Sequence, residues 1–262
     1  MFQNNLNFYS KALSLPLSEK FIQIHVNSVL KIIFIIGISV ISFLNANAQS
    51  TIWRQILEGP YNEVGYDVIE LRDKGYLMVG TKEILVSGTS FLTIQSYLVR
   101  LDNMGNILWQ KTIGDSIYPN TAVTVIEDPD GNIYLPYNSD YAHLIKMNST
   151  GSILWDKDYP FSKIAAFGGI SFTDNFKNFM LVGQNEISNI TTSSLTKLDT
   201  SGNLIWNRMY YDSIPSLSVY SSTGYCFLFL ENFYYLTGGK GVNGFIIKTD
   251  TSGNIIWNKR YL

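Results

Sequence analysis

The stretch NILWQK, residues 106–111, returns as SILWDK at 152–157, NLIWNR at 203–208 and NIIWNK at 254–259, with a blunter copy, STIWRQ, at 50–55. All five tryptophans of the chain, Trp53, Trp109, Trp155, Trp206 and Trp257, hold the same place in this unit, at spacings of 56, 46, 51 and 51 residues. A recurrence near 50 residues, with several short strand-like runs in each period, predicts an all-β fold: a β-propeller of four-stranded antiparallel blades. The repeat settles the architecture and leaves any ligand unnamed.

One repeat shows how a blade is written. Residues 122–127 read as a strand, Asp128, Pro129, Asp130 and Gly131 as a turn, and 132–138 as the returning strand. Proline presets φ for such a turn and glycine accepts a positive φ. Residues 142–148 give a third strand, Ser149 to Gly151 turn the chain, and 152–159 form the fourth strand, carrying Trp155. First hairpins turn similarly at 72–75, 174–178 and 231–232. The second hairpin recurs nearly unchanged, with Asp102, Asn148, Asp199 or Asp250 followed three residues on by Gly105, Gly151, Gly202 or Gly253. An Asp or Asn can hydrogen-bond the backbone two residues ahead and glycine takes the left-handed conformation cheaply, so the pair fixes the hairpin register.

Register decides which face receives the tryptophan. Strict alternation places Ile107, Trp109, Lys111 and Ile113 on one face, and likewise Ile153, Trp155, Lys157 and Tyr159; Leu204, Trp206, Arg208 and Tyr210; Ile255, Trp257, Lys259 and Tyr261. The five indoles are expected to wedge between neighbouring blades at the outer rim, each under the methylenes of a Lys or Arg whose charge stays in water. An aromatic ladder for glycans is the alternative. On the second strands Gly80, Gly183 and Gly238 recur, as expected where blades crowd near the propeller axis, and Pro136 predicts local irregularity in the second blade.

These Asp, Gly and Trp positions resemble the tryptophan-docking repeats of the quinoprotein-like (PQQ-like) β-propellers, over about residues 50–262. The turn departs from that pattern by one residue, because Asp here precedes Trp by seven positions. The segment LVRLDNMGNILWQKTIG at 98–114 is also similar to repeats of secreted propeller-like proteins exported by type IX secretion systems. Those proteins usually end in a C-terminal sorting domain, which residues up to 262 do not contain.

Lys31 followed by the apolar run 32–44 and by Ala46, Asn47 and Ala48 reads as a secretory signal peptide over 28–48, cleaved after Ala48. Thirteen helical residues span about 20 Å, short of the roughly 30 Å of bilayer hydrocarbon, so no membrane span is expected after cleavage. Residues 1–27 read as an N-terminal extension from a misplaced start site. An exported protein follows, periplasmic, at the cell surface or extracellular. Residues 49–262 carry 16 Lys and Arg against 20 Asp and Glu, and the basic residues are scattered, so no nucleic-acid partner is expected. The one cysteine, Cys226, excludes an internal disulfide and sits in an apolar run that predicts a buried thiol.

The repeats divide as 58–114, 115–160, 161–211 and 212–262, after an orphan fourth strand at 51–57. Four complete repeats plus one strand do not close a ring, so an open, truncated propeller is expected, with self-association through its free edges. The catalytic inventory is thin. His143 is the one histidine after residue 48, and Asp128, Asp130 and Asn132 imitate the opening of a calcium loop without its later ligands. No catalytic, cofactor-binding or metal residue is assigned, and no cofactor. The expected function is non-catalytic: a scaffold binding a protein or glycan through the inserts at 83–95 and 187–193, with a quinoprotein-like oxidoreductase as the competing reading.

Overall fold

The computed structural model describes residues 54–57, 59–114, 119–139, 141–159, 166–187, 190–210, 222–240 and 243–261. The chain divides into two compact units, Met1–Ile52 and Trp53–Leu262. The leader segments expected at 1–27 and 28–48, and Trp53, lie outside the described residues.

The second unit holds four sheets. The first is β1 (Glu63–Glu70), β2 (Tyr76–Leu85), β3 (Leu92–Leu101) and β4 (Ile107–Ile113); the second is β5 (Ile126–Glu127), β6 (Ile133–Asn138), β7 (Ala142–Met147) and β8 (Ile153–Tyr159). The third is β9 (Ala166–Thr173), β10 (Asn178–Ile187), β11 (Ile190–Asp199) and β12 (Leu204–Tyr210); the fourth is β13 (Ser222–Leu230), β14 (Phe233–Lys240), β15 (Asn243–Thr249) and β16 (Ile255–Tyr261). Every sheet is an antiparallel meander in chain order.

The core lies between the sheets. Leu77, Val79 and Leu98 of the first meet Val125, Ile133 and Leu135 of the second. Tyr134, Leu144 and Tyr159 then meet Ile170, Phe179 and Leu181, and Met180, Val182 and Leu195 meet Tyr234, Leu236 and Ile247. Each such side chain contributes roughly 1.5–3 kcal/mol by leaving water. Every sheet therefore has a forward face, turned to the next repeat, and a rear face, turned to the previous one. Among the described residues no buried cluster joins the fourth sheet to the first. The chain is an open β-propeller of four blades.

Turn chemistry sets the register. In the second hairpin of the first blade, Asp102 Oδ1 accepts the amides of Met104 and Asn106, both at 2.8 Å, and Oδ2 accepts the Asn106 side-chain amide at 2.8 Å. Asp199 and Asp250 repeat this arrangement with Asn203 and Asn254. The turn glycines Gly105, Gly151, Gly202 and Gly253 have φ of 84°, 78°, 77° and 79°, in the left-handed region that side chains avoid.

Strict alternation fails at one recurring place. Arg100 pairs with Trp109 but Leu101 pairs with Ile107, which leaves Leu108 as an extra bulged residue. Leu154, Ile205 and Ile256 are skipped in the same way, and all four point into solvent. The bulge reverses the side taken by the residue two before each tryptophan. Ile107 consequently leaves the tryptophan face and packs on the rear with Val99 and Leu101.

Gly80 does mark a close backbone approach, but the crowding comes from its own sheet and not from the propeller axis. A Cβ on Gly80 would lie 1.9 Å from the Val64 carbonyl oxygen, beside a bulge at Tyr66. Gly183 and Gly238 stand at the corresponding register shifts of β9 and β13. In the second blade the first strand shrinks to two residues, because Pro136 lacks the amide that would continue the ladder toward Thr124. Asp67 of the first blade answers the gap, accepting the Thr124 hydroxyl at 3.0 Å and the Val125 amide at 3.4 Å.

Arg54 to Leu57, the described part of the orphan segment, carry no strand pairing, yet Leu57 packs on the rear of the first blade against Tyr97, Val99 and Leu101. The insert at 83–95 is not a loop for most of its length. It lengthens β2 and β3, which remain paired out to Leu85 and Leu92.

Candidate binding surface

Each blade grips the next through the tryptophan strand. Trp109 Nε1 donates to the Ser149 carbonyl at 3.4 Å, and its six-membered ring lies 3.2 Å from where a Cβ on Gly151 would stand. Trp155 and Trp206 sit likewise on Gly202 and Gly253. The basic heads do more than remain in water: Lys111 Nζ donates to the Gly151 carbonyl at 2.8 Å, Lys157 Nζ to Asn203 Oδ1 at 2.9 Å and Arg208 Nε to the Ser252 carbonyl at 3.2 Å. Lys157 and Arg208 also lie over their tryptophans, at 5.7 and 5.9 Å from the ring centroids. Tyr159 and Tyr210 complete the set, donating to the carbonyls of Gly202 at 2.8 Å and Gly253 at 3.0 Å. Burial is the chief cause that holds both phenols above the ordinary tyrosine range, so they stay protonated donors. Half-buried and covered by turns, these three indoles do not form a ladder open to sugar rings.

A second recurrence was not picked out in the sequence. Directly across the strand from Trp109, Trp155, Trp206 and Trp257 stand the basic residues Arg100, Lys146, Lys197 and Lys248. Arg100, only 3% exposed, pairs with Asp73 in the first turn of its blade. Lys197 reaches Asp174 at 2.7 Å and Lys146 approaches Asp128 at 3.9 Å. The signal was present in LVRLD, LIKMN, LTKLD and IIKTD, where the cation always precedes the Asx by two positions. Asp128 itself accepts the amides of Asp130 and Asn132, the Asn132 side chain and the Tyr134 hydroxyl, which accounts for this acidic turn by hairpin geometry. Among the described residues no group of three or more His, Cys, Asp and Glu could hold a metal ion.

The extended β2–β3 hairpin carries the most exposed large apolar side chain among the described residues, Phe91 at 74%, together with exposed Leu85, Leu92 and Ile94. Its tip is closed by Val86 and Phe91, whose backbone groups bond at 2.9 Å, and turns at Gly88 with φ of 77°. The Ile94 carbonyl accepts the Asn120 amide at 2.8 Å, and Asn120 lines a cleft of about 400 Å³ between the first two blades. Lys111, Tyr137, His143 and Asp156 line the same cleft. His143 stacks on Tyr137 with centroids 4.5 Å apart and planes at 18°. Tyr137 donates to Asp156 Oδ2 at 3.1 Å, while His143 Nδ1 stands 3.7 Å from Asp156 Oδ1, beyond hydrogen-bonding reach. Of the second insert, residues 188–189 lie outside the described residues. Cys226 is exposed, contrary to the sequence expectation, because it lies on the forward face of the fourth blade, which no sheet covers among the described residues. Among the described residues no helix is long and apolar enough to cross a membrane.

No protein-family model matches the chain, and no curated protein matches it. Three solved structures are similar to the chain at low identity. A protein of unknown function from Bacteroides caccae is 11% identical, with 80% of this chain and 85% of that one covered and a TM-score of 0.37. BamB from Moraxella catarrhalis is 18% identical, over 76% of this chain and 52% of BamB, with a TM-score of 0.38. A provisionally designated exo-beta-1,3-galactanase from Bifidobacterium bifidum s17 is 15% identical, over 74% and 72% of the two chains, with a TM-score of 0.48. The chain thus spans about half the length of BamB. The assignment of four antiparallel blades in an open arc rests on the sheets of this chain themselves.

Proposed function

We propose that this chain is an exported, non-catalytic β-propeller of the quinoprotein-like, tryptophan-docking kind, which binds a protein or glycan partner through the β2–β3 hairpin and the cleft beside it. One observation carries the reading: an apolar tip centred on Phe91 is held in water by strands paired to their ends, so a sticky surface stands on a rigid support. Residues 28–48 serve as the leader. The likeness of residues 98–114 to repeats of type IX cargo supports export by that route.

The test is binding of the purified chain to a panel of bacterial and host polysaccharides and to intact cells, compared with a Phe91→Asp, Leu92→Asp variant of equal melting temperature. Saturable binding that the variant loses is expected. Equal binding by both proteins, or turnover of sugar or alcohol substrates on addition of a quinone and calcium, would overturn it.

A further inference from the structure

The forward face of the fourth blade carries the docking set once more, as Trp257, Lys259 and Tyr261, with nothing seated on it among the described residues. Tyr261 is 53% exposed, where its counterparts Tyr159 and Tyr210, each bonded to a turn carbonyl of the next blade, are 5% exposed. The set is already arranged: Lys259 Nζ lies 5.7 Å over the Trp257 ring, the same distance as Lys157 over Trp155. The edge of Trp257 is braced by Tyr235 at 6.2 Å. Leu228, on the same face, is exposed as well.

We propose that this face docks a β-hairpin that turns on Asx-x-x-Gly followed by Asn or Ser, with a left-handed glycine. The three filled interfaces of the chain define that chemistry. In each, a glycine without a side chain lets the indole approach, since a Cβ on Gly151, Gly202 or Gly253 would come within 2.7 to 3.2 Å of the docking side chains. Main-chain carbonyls of the turn then accept the donors above them. Lys248 and Lys259 on the open face favour an acidic hairpin, as Asp199 and Asp250 make those of the third and fourth blades. A second copy of this chain fits poorly. Among its described second-hairpin turns, only the one ending at Gly105 has no described indole on it, and that glycine is already buried. Two forward faces opposed to each other would set these lysines against their own images.

The probe is a backbone-cyclised peptide of residues 195–210, the β11–β12 hairpin with its Asp199–Gly202 turn, titrated calorimetrically into the intact chain. Saturable one-to-one binding is expected. Tyr261→Phe, which removes one hydroxyl donor, should weaken it about 3- to 10-fold. Trp257→Ala should weaken it by about 10-fold or more. The same peptide with Gly202→Val should not bind. Absence of saturable binding, variants that bind as tightly as the parent, or a valine peptide that binds like the glycine one would each overturn the assignment. So would a dimer of the chain that Tyr261→Phe dissolves without the peptide, because the face would then belong to a second copy.

Discussion

Trp155 lies over Gly202 of the following blade, its six-membered ring 3.0 Å from the position a Cβ on that glycine would take. The glycine meets two demands at once, since its φ of 77° already excludes most side chains. Gly131 has a similar φ of 82° but open space around it, the nearest atom to its Cβ position being Glu127 Oε1 at 3.9 Å. Alanine should therefore cost about 1–2 kcal/mol of left-handed strain at residue 131. At residue 202 the displaced indole adds to that, for a total of about 3 kcal/mol. Chemical denaturation of the two variants checks the difference, and equal losses would mean that the contact contributes nothing.

The tryptophans should not be equal in stability. Trp155→Ala or Trp206→Ala is expected to cost about 3 kcal/mol, the low end for an aromatic because each ring is half-buried. Trp257→Ala, with no blade against it, should cost about 1 kcal/mol or less. For a unit of this size the first two should lower the melting temperature by about 6–12 °C and the third by no more than about 4 °C.

Acid should weaken the turns together. Hydrogen bonds from Asn106 and Asn254 hold the carboxyls of Asp102 and Asp250 below the ordinary range, and the bond from Lys197 does so for Asp174. At Asp199 burial pushes upward, but the bonds from Asn203 and Ser201 win and the net direction is down. A carboxyl whose folded pKa is depressed contributes stability that is complete above its unfolded value, near 3.9, and is lost as pH falls through the folded value. The melting temperature should accordingly be level from about pH 7 to about pH 5 and fall below about pH 4. Asp199→Asn should flatten part of that fall, since the amide oxygen keeps the turn and does not titrate, as Asn148 already illustrates with bonds to Thr150 and Ser152.

The bulged residues offer an internal control. Leu154→Ser and Ile205→Thr should change stability by less than about 0.5 kcal/mol, because both side chains already stand in water. Leu144→Ala, ten residues before Leu154 and fully buried, should cost about 2–5 kcal/mol. Urea midpoints measured on the three proteins decide between this register and strict alternation.

Much of the fold is legible in Asp199, Gly202 and Trp206 and their repeats. A carboxylate that bonds the next amides, a glycine that takes positive φ and a large ring at fixed distance are local features, and local features survive in a single sequence. The alternation reading failed at Ile107 because a bulge at Leu108 is invisible to a count of apolar residues. Leu108 is as hydrophobic as any core position, and only the pairing of Leu101 with Ile107 reveals the slip. Cys226 was misread for a related reason. Its apolar neighbours imply a covered face, but cover comes from another sheet and not from the strand that carries the residue.

The sequence by itself determined the repeat, the meander of each blade and the left-handed turn that closes it, because those depend on residues a few positions apart. Only the tertiary structure decided that Trp109, Trp155 and Trp206 rest on the glycine of the following blade, that Arg100 and Lys197 clamp the first turn, and that Phe91 and Tyr261 remain in water. Such relations join residues roughly 20 to 50 positions apart, or depend on whether a neighbouring sheet is there at all, and neither is written in the local pattern of any one strand.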